Sequence, residues 1–229
     1  LLDEVEREIF KVTQRRITSE LMGTADVLRE TMENIGYMYE TKKPVTGLSS
    51  GYIDMDTMLT GFHESELIIM AARPSMGKTA LALNIANHVG LKDKQPVLFF
   101  SLEMPATQLA TRMLCIEAMI DSQKVRTGSI SAEELKKLVQ AAGRLEKTPI
   151  FIDDTPGLNI FDLRARARRI AQREKVGLVI VDYLQLIAST SRMERHQQIA
   201  EISNALKQLA RELDVPVIAL SQLSRAVES

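Results

Sequence analysis

Tryptophan is absent from the 229-residue sequence, and aromatic residues make up only 4% of it. That argues against an extended platform for stacking nucleic-acid bases. There is one cysteine, Cys115, and there are three histidines. A single thiol excludes an internal disulfide and fits a reducing compartment such as the cytoplasm. So few thiols and imidazoles make a structural zinc site unexpected. No apolar run approaches the ~18–20 residues of a membrane span. The longest, Leu67 to Ala72, has the length of a strand. Residues 1–16 are too charged for the apolar part of a secretory signal. An excess of either charge is lacking too: 29 Lys+Arg stand against 30 Asp+Glu, a net charge of −1. The chain is therefore neither a disordered polyelectrolyte nor a uniformly basic coat, and any nucleic-acid contact has to be local.

What is present is enough for a core. The hydrophobic fraction is 45%, and the length suits one large domain with an appendage or two small ones. The first fifty residues differ in kind from the rest. Leu1, Val5, Ile9 and Val12 recur at helical spacing among charged residues, a narrow apolar stripe that must be buried against its own domain or a neighbouring subunit. Gly23 closes this region, and Thr24 can cap a second helix carrying Leu28, Met32, Ile35 and Tyr39. We divide the chain into a linker helix over residues 1–22 and a main domain over 23–229. Beyond residue 52, five apolar runs (Leu67–Ala72, Val97–Ser101, Ile150–Asp153, Leu178–Asp182 and Val217–Ser221) alternate with helical stretches near 78–91, 105–120, 131–146, 160–175 and 196–213. Continuous apolar runs are strands buried on both faces, so the expectation is α/β: a mostly parallel central sheet flanked by helices. Ligands of such sheets bind at the carboxyl ends of the strands.

After the first of these strands comes Ala72-Arg73-Pro74-Ser75-Met76-Gly77-Lys78-Thr79, then an apolar helix. This is the phosphate-loop pattern with Ala72 in place of its first glycine. Gly77 leaves the backbone N–H groups unhindered to converge on phosphate oxygens, and the helix that follows turns its positive end to the same anion. Lys78 is expected to reach the β- and γ-phosphates, and the Thr79 hydroxyl to bind Mg²⁺.

The fourth strand, Leu178-Val179-Ile180-Val181, ends in Asp182, where a carboxylate would lie near a cation held by Thr79. A glutamate to polarise the attacking water is often found next in such sites. Here Tyr183, Leu184 and Gln185 follow instead. Glu103, after the second strand, is the substitute: if that strand neighbours the phosphate-loop strand, its carboxylate can sit beside the γ-phosphate. The last strand leads into Gln222, a neutral amide able to hydrogen-bond a γ-phosphate and report its loss.

Four motifs in order, Ala72–Thr79, Phe100-Ser101-Leu102-Glu103-Met104, Val181-Asp182-Tyr183-Leu184-Gln185-Leu186 and Ser221-Gln222-Leu223-Ser224-Arg225, resemble the helicase motifs of the DnaB-type replicative DNA helicases. Thr46 to Asp56 resembles the opening segment of their ATPase domain, and residues 1–16 the linker helix that docks on the adjacent subunit. The resemblance implies a RecA-like fold, a hexameric ring, ATP with Mg²⁺, and movement on single-stranded DNA, with primase and a helicase loader as partners. It makes Lys78 and Thr79 the phosphate and metal ligands, Glu103 the base, Asp182 the metal-associated acid and Gln222 the sensor. It also implies a domain incomplete at its C-terminal end, with an arginine finger and the main DNA loops expected beyond residue 229.

Within the chain, the loop around Ser189–Gln198 is the candidate DNA contact, through Arg192, Arg195 and Gln197. Such groups hold a backbone without reading sequence. A second basic run, Arg164 to Lys175, reads as a solvated face or a subunit contact. Two alternatives remain: a RecA-type recombinase or related RecA-fold ATPase, which shares the fold and phosphate loop, and a non-catalytic nucleotide-binding module. Arg73-Pro74, Glu103-Met104 and Tyr183-Leu184-Gln185 favour the helicase.

Overall fold

A computed structural model describes residues 23–42, 45–188 and 194–223. The stripe Leu1, Val5, Ile9, Val12 lies outside these residues. The chain divides into two compact units, Leu1–Lys43 and Pro44–Ser229. In the first, helix α1 spans Thr24–Thr41. Its N-cap is Gly23 in extended conformation, and no side chain caps it. The expectation that Thr24 would cap is corrected: Thr24 is already helical, and the chain turns in at the unhindered glycine before it.

The second unit is built on a five-stranded parallel sheet in the order β1-β5-β4-β2-β3, formed by β1 (Leu67–Ala72), β2 (Val97–Ser101), β3 (Ile150–Asp153), β4 (Leu178–Asp182) and β5 (Val217–Gln222). The helices are α2 (Ile53–Leu59), α3 (Lys78–His88), α4 (Ala106–Ala118), α5 (Ser122–Thr127), α6 (Ala132–Leu145), α7 (Ile160–Ala171) and α8 (Arg195–Leu213). α3 runs on into a π-helical turn at Val89–Asp93.

Alternate strand residues feed two cores. Val97, Phe99, Leu178, Ile180, Ile218 and Leu220 pack with Leu83, Ile85 and Val89 of the α3 segment and Leu109 and Met113 of α4. Leu98, Phe100, Val179, Val181, Val217 and Ala219 pack with Leu163 of α7 and Ile202, Leu206 and Leu209 of α8. This two-sided burial is why the strands read as unbroken apolar runs. The chain steps from β1 to β2 and β3, then reverses through β4 to β5. With right-handed crossovers, that reversal places α3 and α4 on one face and α7 and α8 on the other.

Local signals set the helix starts. Ser131 and Glu134 form a reciprocal capping box on α6, with Ser131 N donating to Glu134 at 2.8 Å and Glu134 N to Ser131 Oγ at 3.1 Å. Asn159 Oδ1 accepts from Asp162 N at 2.9 Å and starts α7. At the end of β3, Asp154 accepts from Ala106 N at 2.8 Å and so anchors α4 just beyond Glu103. Each of these satisfies an N–H group that the helix itself leaves unpaired.

Candidate nucleotide site

The carboxyl ends of β1, β5, β4 and β2 bring the expected residues to one edge of the sheet. Ala72 lies in register with Gln222, and Ser101 with Asp182. Between β1 and α3, the loop turns through Ser75 at φ 64° and Gly77 at φ 85°. A Cβ on Gly77 would meet no atom within 4 Å, so the glycine is required by its left-handed backbone alone. Leu81 N bonds back to Gly77 O at 2.9 Å, which starts the helix on Lys78. The unpaired N–H groups of this first turn face the loop, as an anion site requires.

Thr79 and Asp182, 103 residues apart in sequence, meet here. The Thr79 hydroxyl donates to Asp182 Oδ2 at 2.6 Å. Asp182 is 0% exposed, and its Oδ1 has no hydrogen-bond partner. Burial pushes the Asp182 carboxyl above its ordinary range; the Thr79 hydrogen bond and the Lys78 and Arg112 charges oppose this, while the Glu103 charge adds to it. Lys78 Nζ lies 4.3 Å from the centre of the Tyr183 ring, a cation–π contact. The Asp182–Tyr183 peptide is cis.

The second strand does not neighbour the phosphate-loop strand, so the condition placed on Glu103 fails: β5 and β4 stand between them. Parallel pairing is set by long-range packing, which local patterns do not encode. Glu103 reaches the site from the other side. β2 pairs with β4, Leu102 N donates to Asp182 O at 2.8 Å, and the Ser101 hydroxyl ties the following turn to Met104 O at 2.6 Å. Exposed Glu103 is thereby held close enough to act electrostatically on both Asp182 and Tyr183.

Among the described residues no group of three or more His, Cys, Asp or Glu could hold a metal. A buried carboxylate with one unpartnered oxygen beside a hydroxyl instead suits a cation that completes its shell with water and phosphate, the habit of Mg²⁺.

Of the DNA candidates, Arg192 lies outside the described residues. Exposed Gln197 stands in the first turn of α8. Arg195 donates to the Gln185 carbonyl and, at 2.9 Å, to Gln198 Oε1. Three residues of the second basic run are paired within their own fold: Arg164 and Arg168 with Glu212 at 3.2 and 3.1 Å, and Arg166 with Asp153 at 2.8 Å. Gln185, singled out in sequence only as part of a family motif, emerges as a contact hub. Its Nε2 donates to Ser221 Oγ at 2.9 Å and Gln222 O at 3.1 Å, and its Oε1 accepts from Gln222 N at 3.2 Å. The available signal was a long amide between two apolar residues, Leu184 and Leu186.

A family model described as the DnaB-like helicase C terminal domain matches residues 47–229. The chain belongs to this family. Over its full length it is 48% identical to the replicative DNA helicase DnaB of Geobacillus stearothermophilus and 49% identical to the replicative DNA helicase DnaC of Bacillus subtilis. It spans 51% of each, about half the length of these relatives. Among solved structures it is similar to one described as an ATPase domain, with a TM-score of 0.80 and 35% identity over 88% of this chain and 72% of that one. A DnaB-like replicative helicase, described together with its interactions with primase, superposes with a TM-score of 0.79 and 35% identity over 87% of this chain and 49% of that one. The sheet is thus the RecA-like sheet of the DnaB-like ATPase domains, and the recombinase alternative is not favoured.

Proposed function

We propose that this chain is the motor part of a replicative DNA helicase, which hydrolyses nucleoside triphosphate to move on single-stranded DNA and unwind duplex. The observation that carries the reading is the Thr79–Asp182 contact at 2.6 Å, set beneath a phosphate loop and beside Glu103. Gly77 and the N–H groups of the α3 first turn cradle the phosphates, and Lys78 neutralises the charge that builds on them. Thr79 and Asp182 would hold Mg²⁺, which would supply positive charge to offset the charge of the phosphates. Glu103 accepts the proton of the attacking water, and its exposure leaves it reachable. Gln222 hydrogen-bonds the γ-phosphate, so the end of β5 differs between triphosphate and diphosphate states. Arg192, Arg195 and Gln197 are the candidate contacts to the DNA backbone.

In the same reading, residues 1–22 form the linker that docks on the next subunit of a homo-hexamer, and the motor domain occupies 23–229. Primase and a loader are the partners, and the cytoplasm is the site of action. No helix of the described residues is long and apolar enough to cross a membrane. The test is strand displacement from a forked duplex by the full-length protein. Displacement should require both triphosphate and Mg²⁺, and Lys78→Ala should abolish it. A folded, nucleotide-binding protein that separates no strands would refute the motor.

A further inference from the structure

The pairing of β4 with β5 stops at Val181 and Ala219, whereas β5 runs on beside β1 as far as Gln222. The N–H and C=O of Gln222 are therefore left without a strand on the β4 side. The Gln185 side chain takes that place, its amide both donating to and accepting from the Gln222 backbone as a neighbouring peptide would. On the other flank of β5, Leu223 N donates to Ala72 O at 3.1 Å, at the root of the phosphate loop. The end of β5 is thus clasped between the phosphate loop and Gln185.

Gln185 has a second attachment. Its carbonyl accepts from the guanidinium of Arg195, the first residue of α8. The short 3₁₀ turn Leu184–Leu186 that carries it is seated by Leu184 and by Ile187 just after it, both almost fully buried. Close-packed anchors make such a turn shift as a unit rather than deform. One residue therefore grips the strand end at Gln222 with its side chain and the start of α8 with its main chain.

We propose that Gln185 is the positioning residue that couples the nucleotide state at Gln222 to the polar segment opening α8, and so sets affinity for single-stranded DNA. The inference rests on the motor reading above. Gln185 touches no reacting atom in this account and acts through Gln222 and Arg195.

The experiment measures the dissociation constant of a labelled single-stranded oligonucleotide from the full-length protein, with a non-hydrolysable ATP analogue and with ADP. The ratio of the two constants is the coupling. Allosteric couplings run to about 5–150-fold, and the wild-type ratio is expected in that range. Gln185→Glu keeps the shape and the acceptor but loses the donor to Ser221 and Gln222. Gln185→Leu removes the whole clasp and, being uncharged, decides the matter if the first variant does not fold. Both should bring the ratio to within about twofold of one, while the analogue's own affinity without DNA changes by less than about threefold. A merely structural role would weaken both ligands together and leave the ratio intact. A wild-type ratio retained in either folded variant overturns the inference and leaves the motor standing. A wild-type protein that binds no single strands, or whose ratio is already one, overturns both.

Discussion

Replacing Thr79 with Val isolates the contact at the centre of the site. Valine keeps the shape and removes the hydroxyl, which leaves both oxygens of a fully buried Asp182 without a donor. A hydrogen bond to a charged group contributes about 1.5–3 kcal/mol. At roughly 2–4 °C per kcal/mol for a domain of this size, the nucleotide-free protein should melt about 3–12 °C lower. The loss should depend on pH. Burial raises the folded-state pKa of Asp182 above its unfolded value, so ionisation costs stability as the pH rises from the ordinary carboxylate range through the folded pKa. Losing the Thr79 hydrogen bond raises that pKa further. The cost of Thr79→Val should therefore be small in acid, where the carboxyl is protonated in both states, and full at neutral pH. Denaturant unfolding across pH measures it, with Asp182→Asn closing a double-mutant cycle whose coupling energy should exceed about 1 kcal/mol. Thr79→Ser should restore both stability and Mg²⁺-dependent turnover. A pH-independent loss under about 0.5 kcal/mol, with additive single mutants, would refute the pairing.

Glu103→Gln should bind nucleotide normally but turn over ~10²–10⁴ more slowly, the range for a positioned base; single-turnover hydrolysis at normal rate would place the base elsewhere. Burial raises the Asp153 and Glu212 carboxyls, but hydrogen bonds from Thr155 and Arg166 to the first, and from Arg168 and Arg164 to the second, outweigh it and hold both below their ordinary values. Their stabilisation is thus full above the usual carboxylate range and lost as the pH falls through the depressed values. Asp153→Asn with Glu212→Gln should flatten that acid limb, and an unchanged limb would count against the ion pairs. Deleting residues 1–16 from the full-length protein should lower its oligomeric state in sedimentation without unfolding the nucleotide domain. An isolated helix of that length is marginal in water and needs a surface to dock on. Intact hexamers after the deletion would mean that the ring rests on other contacts.

The strands were legible because each is apolar on both faces, and the phosphate loop because Gly77, Lys78 and Thr79 answer chemical needs that leave little choice of residue. Sheet order was not legible. Placing β2 beside β1 was the simplest route for Glu103, whereas two intervening strands hand it to Asp182 through β4. The short helices α2 and α5 lack a long apolar stripe. α5 is set by its caps, with Asp121 accepting from Gln123 N at 2.8 Å and Gly128 closing the turn at φ 72°. Gln185 escaped notice as a contact because a neutral amide after Asp182 reads as a missing base. Only the divergence of β4 from β5 gives it a partner. The arginines of α7 looked like a free basic face because Asp153 and Glu212, which pair with them, come from other elements.

In the proposed motor, this site couples triphosphate hydrolysis to single-stranded DNA. Steady-state hydrolysis by the full-length protein, measured with and without a single-stranded oligonucleotide, reads out that coupling. Turnover should require Mg²⁺, rise when single strands are added, and be absent in Lys78→Ala under both conditions. Equal turnover with and without DNA, or hydrolysis that survives Lys78→Ala in the folded protein, would contradict it.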